Sequence, residues 1–206
     1  HQHTESINGR TWRWLEAGDP NAADTLVLLH GLSMSKNRWR GVIPELAKYR
    51  RVIVPDIPGL NLSLPAREPD AGFDGLATEV AEFLAATVNK PVHLLGHSMA
   101  APLCLSVALR LKVPVKSVIM VSLADILLSE SQSLALNIEK MSEFIHNLTL
   151  EQHCNYVASM FYQPPPAVNL IARSTWPELN ANKQHVVRLL GAMEQELSQL
   201  SLHEDA

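Results

Sequence analysis

The residues best placed to do chemistry are those of Leu95-Gly96-His97-Ser98-Met99-Ala100. The serine stands between a continuous apolar run, Val92-His93-Leu94-Leu95, and an apolar helical stretch over about Met99–Leu111. A sharp turn at such a junction lifts a hydroxyl above the carboxyl edge of a sheet, where open α/β sheets bind ligands. It also brings the hydroxyl to a helix N-terminus, whose unpaired N–H groups favour developing negative charge. Small residues two before and two after it, Gly96 and Ala100, let strand and helix pass close together. Ser98 is therefore the candidate nucleophile; the plainer alternative is a serine that caps an ordinary helix.

Two further turns follow apolar runs. In His30-Gly31-Leu32-Ser33 the glycine allows a close backbone approach, so the Leu32 N–H can face the serine and form, with the Met99 N–H, a two-donor site for an oxyanion. In Asp56-Ile57-Pro58-Gly59-Leu60-Asn61-Leu62-Ser63 the proline fixes φ, Gly59 permits positive φ, and Asn61 tolerates the left-handed region. Asp56 reads as a holder of that turn rather than as a catalytic acid.

The elements that position these turns can be read from pattern. Ile7–Glu16, with Asn8-Gly9 inside it, predicts a β-hairpin at a sheet edge, and His1 and His3 read as a disordered tail before it. Thr25–His30, Arg51–Asp56, Val92–Leu95 and Val115–Val121 are continuous apolar runs, as strands buried on both faces require. Amphipathic stretches over about Arg38–Tyr49, Phe73–Val88 and Met99–Leu111 alternate with them. The order predicts an α/β fold of about six strands, mixed at its N-terminal edge and parallel beyond. From about Glu130 the chain reads as helical, broken at Pro164-Pro165-Pro166 and at Pro177. The division expected is a core over 1–128 and a helical lid over 129–206.

Bulk properties exclude some classes. Hydrophobic residues are 47% and charged residues 18%, with a formal charge of −4 and no long basic run, which does not fit a nucleic-acid binder. No apolar stretch approaches the length of a membrane span, and a cytoplasmic or membrane-peripheral location is expected. Neither a His/Cys metal spacing nor a Gly-x-Gly-x-x-Gly loop is present, so no metal or organic cofactor is implied. Cys104 reads as a buried free thiol; a bridge to Cys154 stays open.

Taken together, the three turns resemble the α/β-hydrolase superfamily in its lipase/esterase branch, over about Ile7 to Asp125. Ala100 and Asn61 stand where that family has glycine. Met160-Phe161-Tyr162-Gln163-Pro164-Pro165-Pro166 is similar to a lid segment of monoacylglycerol lipase-like bacterial esterases. The resemblance implies a serine hydrolase of carboxylic esters. Ser98 would attack the acyl carbon, the Leu32 and Met99 amides would hold the oxyanion, and His30, Gly31 and His97 would line the substrate site. Leu134, Leu136, Ile138, Met141, Phe144 and Ile145 in the lid favour an acylglycerol or other lipid-like ester. The alternative is a non-catalytic binding or interaction module on the same fold.

Family members supply an acid and then a histidine after later strands. None of the nine histidines fits that base. His93 lies on the strand entering the turn, His97 is the serine's neighbour and projects elsewhere, and His146, His153 and His185 fall on the helical part. His203 follows no strand. Asp125, just past Val115–Val121, is an alternative acid position, with a helix cap as the plainer reading. The expectation is that the last two strands, the base and the acid lie beyond Ala206, with a partner chain as an alternative source.

Overall fold

The computed structural model of the chain describes residues 1–61, 72–122, 131–159 and 161–201, and leaves the side chains of 131–137 and 197–201 undescribed. Asn8 and Gly9 both take positive φ, 50° and 75°, as a tight two-residue hairpin demands. They join β1 (Gln2–Ile7) to an antiparallel β2 (Arg10–Ala17). The hairpin is longer than expected. His3, read as part of a tail, lies in β1 opposite Trp14, with its ring stacked on the indole at 4.9 Å. That cross-strand ring pair anchors a strand with little apolar alternation of its own.

The four apolar runs are β3 (Thr25–Leu29), β4 (Arg51–Pro55), β5 (Val92–His97) and β6 (Val115–Val121). The sheet order is β1-β2-β4-β3-β5-β6, with β1 and β2 antiparallel and β4 through β6 parallel. Every residue of β3 is buried, which is why it carries no polar alternation. Val27, Leu29 and Ile53 face one side of the sheet; Leu26, Leu28, Val52 and Val54 face the other. β6 differs: at the sheet edge, Ile119, Met120 and Val121 are exposed at 42%, 37% and 38%.

One face packs under α2 (Gly72–Thr87) and α3 (Ala100–Ala108), with Phe83 stacked on Trp12 at 4.5 Å and edge-on to Trp14. The other is covered by a 3-10 turn (Lys36–Trp39) and a short α1 (Ile43–Leu46), from which Trp39, Ile43 and Leu46 reach the sheet. The single helix expected over Arg38–Tyr49 is thus split. Gly41 weakens helix between the pieces, and Pro44, lacking an N–H, suits the first turn of a new helix better than the interior of a long one.

The C-terminal part is helical as expected: α4 (Ser131–Asn147), α5 (Leu150–Ser159) and α6 (Val168–Ser201). Pro177 does not break it. α6 runs through the proline, whose cost of about 3 kcal/mol is offset by burial of Leu179, Val186, Leu189, Leu190 and Met193 along the same helix. These join Ile138, Ile145, Leu148 and the α2 face in one continuous apolar core. Glu196 fixes the join, accepting hydrogen bonds from the Phe73 and Asp74 N–H groups at 2.8 and 3.2 Å. A carboxylate at a helix N-terminus is favourably placed.

Candidate active site at the carboxyl ends of β3, β4 and β5

Three loops converge where the parallel strands end. β5 delivers Ser98, which sits at φ 55° between strand and helix, a left-handed conformation costly for a residue with a side chain. Its backbone is held on both sides: the Ser98 N–H donates to the Val121 carbonyl at 2.9 Å, and its carbonyl accepts from Ala101 N–H at 2.9 Å. The turn demands glycine at 96. A Cβ there would lie 2.2 Å from the Ala100 carbonyl oxygen and 2.7 Å from Cys104 Sγ. Ala100 itself is fully buried at the start of α3, so its methyl group is accommodated where the family pattern has glycine.

β3 delivers His30 to Ser33. A Cβ on Gly31 would lie 3.0 Å from Ser98 Cβ and 3.1 Å from the His97 carbonyl, so the two turns approach backbone to backbone. Among the described residues, neither the Leu32 N–H nor the Met99 N–H has an acceptor. His30 occupies a different place from the substrate-lining one expected. It has no exposed surface; its Nδ1–H donates to the Gly31 carbonyl at 2.9 Å and its Nε2 accepts from the Ile57 N–H at 2.9 Å. It ties the β3 turn to the β4 turn as a neutral ring, and burial pulls its pKa down to about 4. The Ser33 N–H adds a second tie, to the Leu60 carbonyl.

β4 delivers Asp56, and the turn that follows has Gly59 at φ 78° as expected. Asn61, which tolerates the left-handed region, does not occupy it. Its side-chain amide donates to Asp56 Oδ1 at 2.9 Å, and its N–H to the Ile57 carbonyl, so it closes the turn by hydrogen bonding. Asp56 also accepts from the Lys36 N–H at 2.8 Å and from Lys36 Nζ at 2.5 Å, both residues being buried. Asp56 is therefore a turn-holder. Lys36, its charge partner, was not singled out by sequence, because nothing in Ser33-Met34-Ser35-Lys36 distinguishes a buried lysine from a solvated one.

His97 is half-buried and meets Trp39 edge-to-face at 6.4 Å. Burial, and then the charge of Arg38, hold its pKa below the ordinary range. Among the described residues no histidine nitrogen is hydrogen-bonded to Ser98 Oγ. His93 pairs instead with Ser117 and Asp24, and His153, buried in the helical part, with Thr175. Asp125 and His203 lie outside the described residues. Both cysteines are free, and burial pushes the Cys104 thiol up to about 12, which removes it as a nucleophile beneath the turn. No helix among the described residues is long and apolar enough to cross a membrane.

A family profile described as the alpha/beta hydrolase fold matches residues 24–160, the stretch that contains all three loops. The chain belongs to this family. It is 39% identical over 97 residues to the soluble epoxide hydrolase of Corynebacterium sp. strain C12, a match covering 46% of this chain and 32% of that protein. It is 39% identical over 84 residues to the pimeloyl-[acyl-carrier protein] methyl ester esterase of Aeromonas hydrophila, covering 41% of this chain and again 32% of the relative. In structure it is similar to a putative lipase, Lip1, from Acinetobacter baumannii AYE, with TM-score 0.72 and 24% identity over 92% of this chain and 64% of that one. The matched stretch thus spans about a third of these curated relatives. All three are hydrolases by name, one of epoxides and two of esters, and the likeness to Lip1 speaks for the fold.

Proposed function

We propose that this chain is a serine hydrolase of carboxylic esters, with Ser98 as nucleophile. The observation that carries the reading is the strained Ser98 turn lying against Gly31, with two backbone N–H groups, Leu32 and Met99, that have no acceptor among the described residues. In this reading Ser98 Oγ attacks the acyl carbon, and its proton passes to a general base outside the described residues. The carbonyl π electrons move to oxygen, which the two amides stabilise. Collapse expels the protonated alcohol and leaves an acyl-serine, which water hydrolyses. Each donor of this kind is worth about 10²–10³ in kcat.

A serine at the turn favours ester-type acyl transfer over epoxide opening, because the esterase relative's printed substrate is a methyl ester and a serine ester is an ordinary intermediate of that reaction. The helical part from Ser131 onward serves as the lid in this reading. Its exposed Met141 and Phe144 favour an acylglycerol or other lipid-like ester as the small-molecule substrate, and Gly31 and His97 sit at its reactive end. The test is labelling of the full-length protein by a fluorophosphonate probe, with Ser98→Ala as control. Labelling that depends on Ser98 is expected. Its absence in folded protein favours the second reading, a binding module on a hydrolase fold, which rests on there being no described histidine against Ser98.

A further inference from the structure

Leu32 lies on the loop between β3 and the 3-10 turn, beside Ser33 at φ 60°. Its side chain rests on the core, but apolar contact has no direction and does not aim an N–H. Directional ties flank it instead. Two residues before Leu32, His30 Nε2 accepts from the Ile57 N–H at 2.9 Å; one residue after it, the Ser33 N–H donates to the Leu60 carbonyl at 2.9 Å. Both ties end on the turn after β4, so the Leu32 N–H is placed only as well as that turn is.

Asp56 fixes that turn against the β3 loop. Its Oδ1 accepts from the Lys36 N–H at 2.8 Å and from the Asn61 side-chain amide at 2.9 Å, and its Oδ2 from Lys36 Nζ at 2.5 Å. The Asp56 N–H donates to the Arg13 carbonyl at 2.8 Å, which moors the carboxylate to β2. Both carboxylate oxygens are thus committed. Asn61, where the family has glycine and therefore no side chain, supplies one of the three bonds. The Lys36 and Asp56 side chains are only 8% and 4% exposed. Taking two charges out of water costs about as much as their attraction returns, so stability does not account for a lysine here. A charge-assisted bond to a fully engaged carboxylate does fix geometry.

We propose that Lys36 is a positioning residue for the oxyanion site: by locking Asp56, it holds the β3 and β4 turns in the register that presents the Leu32 N–H to the acyl oxygen beside Ser98. Lys36 touches no reacting atom. The tolerance is small, because a donor must stand about 2.7–3.1 Å from the oxyanion, and a misplacement of about 1 Å can cost about 10²-fold in rate. The proposal rests on the serine-hydrolase reading, and its test separates the two.

The experiment is hydrolysis of p-nitrophenyl butyrate by the full-length protein and its variants. Each rate is divided by the sites titrated with a fluorophosphonate, so that unfolded molecules do not count. In Lys36→Met, kcat should fall about tenfold to a hundredfold with KM within about twofold, because the donor acts in the transition state. Labelling of Ser98 should slow in parallel and still reach completion. Lys36→Arg, which keeps the charge, should regain part of the rate. Lys36→Met/Asp56→Asn, with no stranded carboxylate, should be more stable than Lys36→Met and remain slow. Arg51→Met breaks the Arg51–Glu16 pair at the other end of β4; it should lose stability but turn over like the parent per titrated site. The proposal is overturned by a Lys36→Met variant with the parent's kcat per site, by a loss confined to KM, by turnover that returns with stability in the double variant, or by an equal loss in Arg51→Met. A parent protein unlabelled at Ser98 contradicts the serine-hydrolase reading and removes the proposal with it, whereas a labelled, active parent matched by Lys36→Met overturns the proposal alone.

Discussion

Replacing Gly96 by alanine tests how tightly the Ser98 turn is built. The added Cβ would lie 2.2 Å from the Ala100 carbonyl oxygen, 2.6 Å from its carbon and 2.7 Å from Cys104 Sγ. A normal carbon–oxygen contact is about 1 Å longer than the first of these, and a backbone oxygen in the first turn of α3 cannot rotate aside as a side chain would. The strand and helix must separate, which places the cost at the upper end of the overpacking range, about 3 kcal/mol. At an m-value of about 2–3 kcal/mol/M this lowers the urea midpoint by about 1 M, and the melting temperature by about 6–12 °C for a chain of this size. Tryptophan fluorescence follows the transition, since Trp12 and Trp14 are buried in the core. Gly96 is not among the positive-φ positions, so the penalty is steric and not conformational. A loss under about 0.5 kcal/mol, the level of an unremarkable surface change, would refute the reasoning.

Other consequences follow from the same loops. The pKa of His30, lowered to about 4 in the fold from the ordinary 6.5, means the unfolded chain binds the extra proton. Its contribution is fully present above about pH 6.5 and is lost as pH falls toward 4, amounting to roughly 3 kcal/mol. The urea stability of His30→Gln should therefore lose less between pH 7.5 and 4.5 than that of the parent, and equal pH slopes would contradict this. Lys36→Met should cost about 3 kcal/mol by stranding the buried Asp56 charge, with Lys36→Met/Asp56→Asn recovering part of the loss; strictly additive losses would contradict the pairing. Ser98→Gly should raise stability by about 1 kcal/mol by relieving φ 55°, while abolishing any Ser98 chemistry. A less stable variant would mean the turn is not strained.

Much of this fold is legible in sequence because burial on both faces erases alternation. Thr25–Leu29 can hardly be anything but a central strand, and Asn8-Gly9 between alternating residues dictates its hairpin. The sharp turn at Ser98 is legible for the same local reason, a small residue on each side of a serine between strand and helix. What escaped depends on contacts distant in sequence. His3 becomes a strand residue only through Trp14 across the hairpin, and Pro177 sits inside α6 because burial along that helix outweighs the lost hydrogen bond. Lys36 is buried because Asp56, twenty residues on, awaits it. Glu196 caps α2 from more than a hundred residues away. Each of these is a tertiary contact that no local pattern encodes.

The central claim is that Ser98 is an activated nucleophile. The measurement that tests it most directly is intact-protein and peptide mass spectrometry of the full-length protein after exposure to a fluorophosphonate. A single adduct is expected, on the peptide carrying Ser98, and is absent in Ser98→Ala. A folded, full-length protein that acquires no adduct at Ser98, or is labelled equally in the alanine variant, would contradict it.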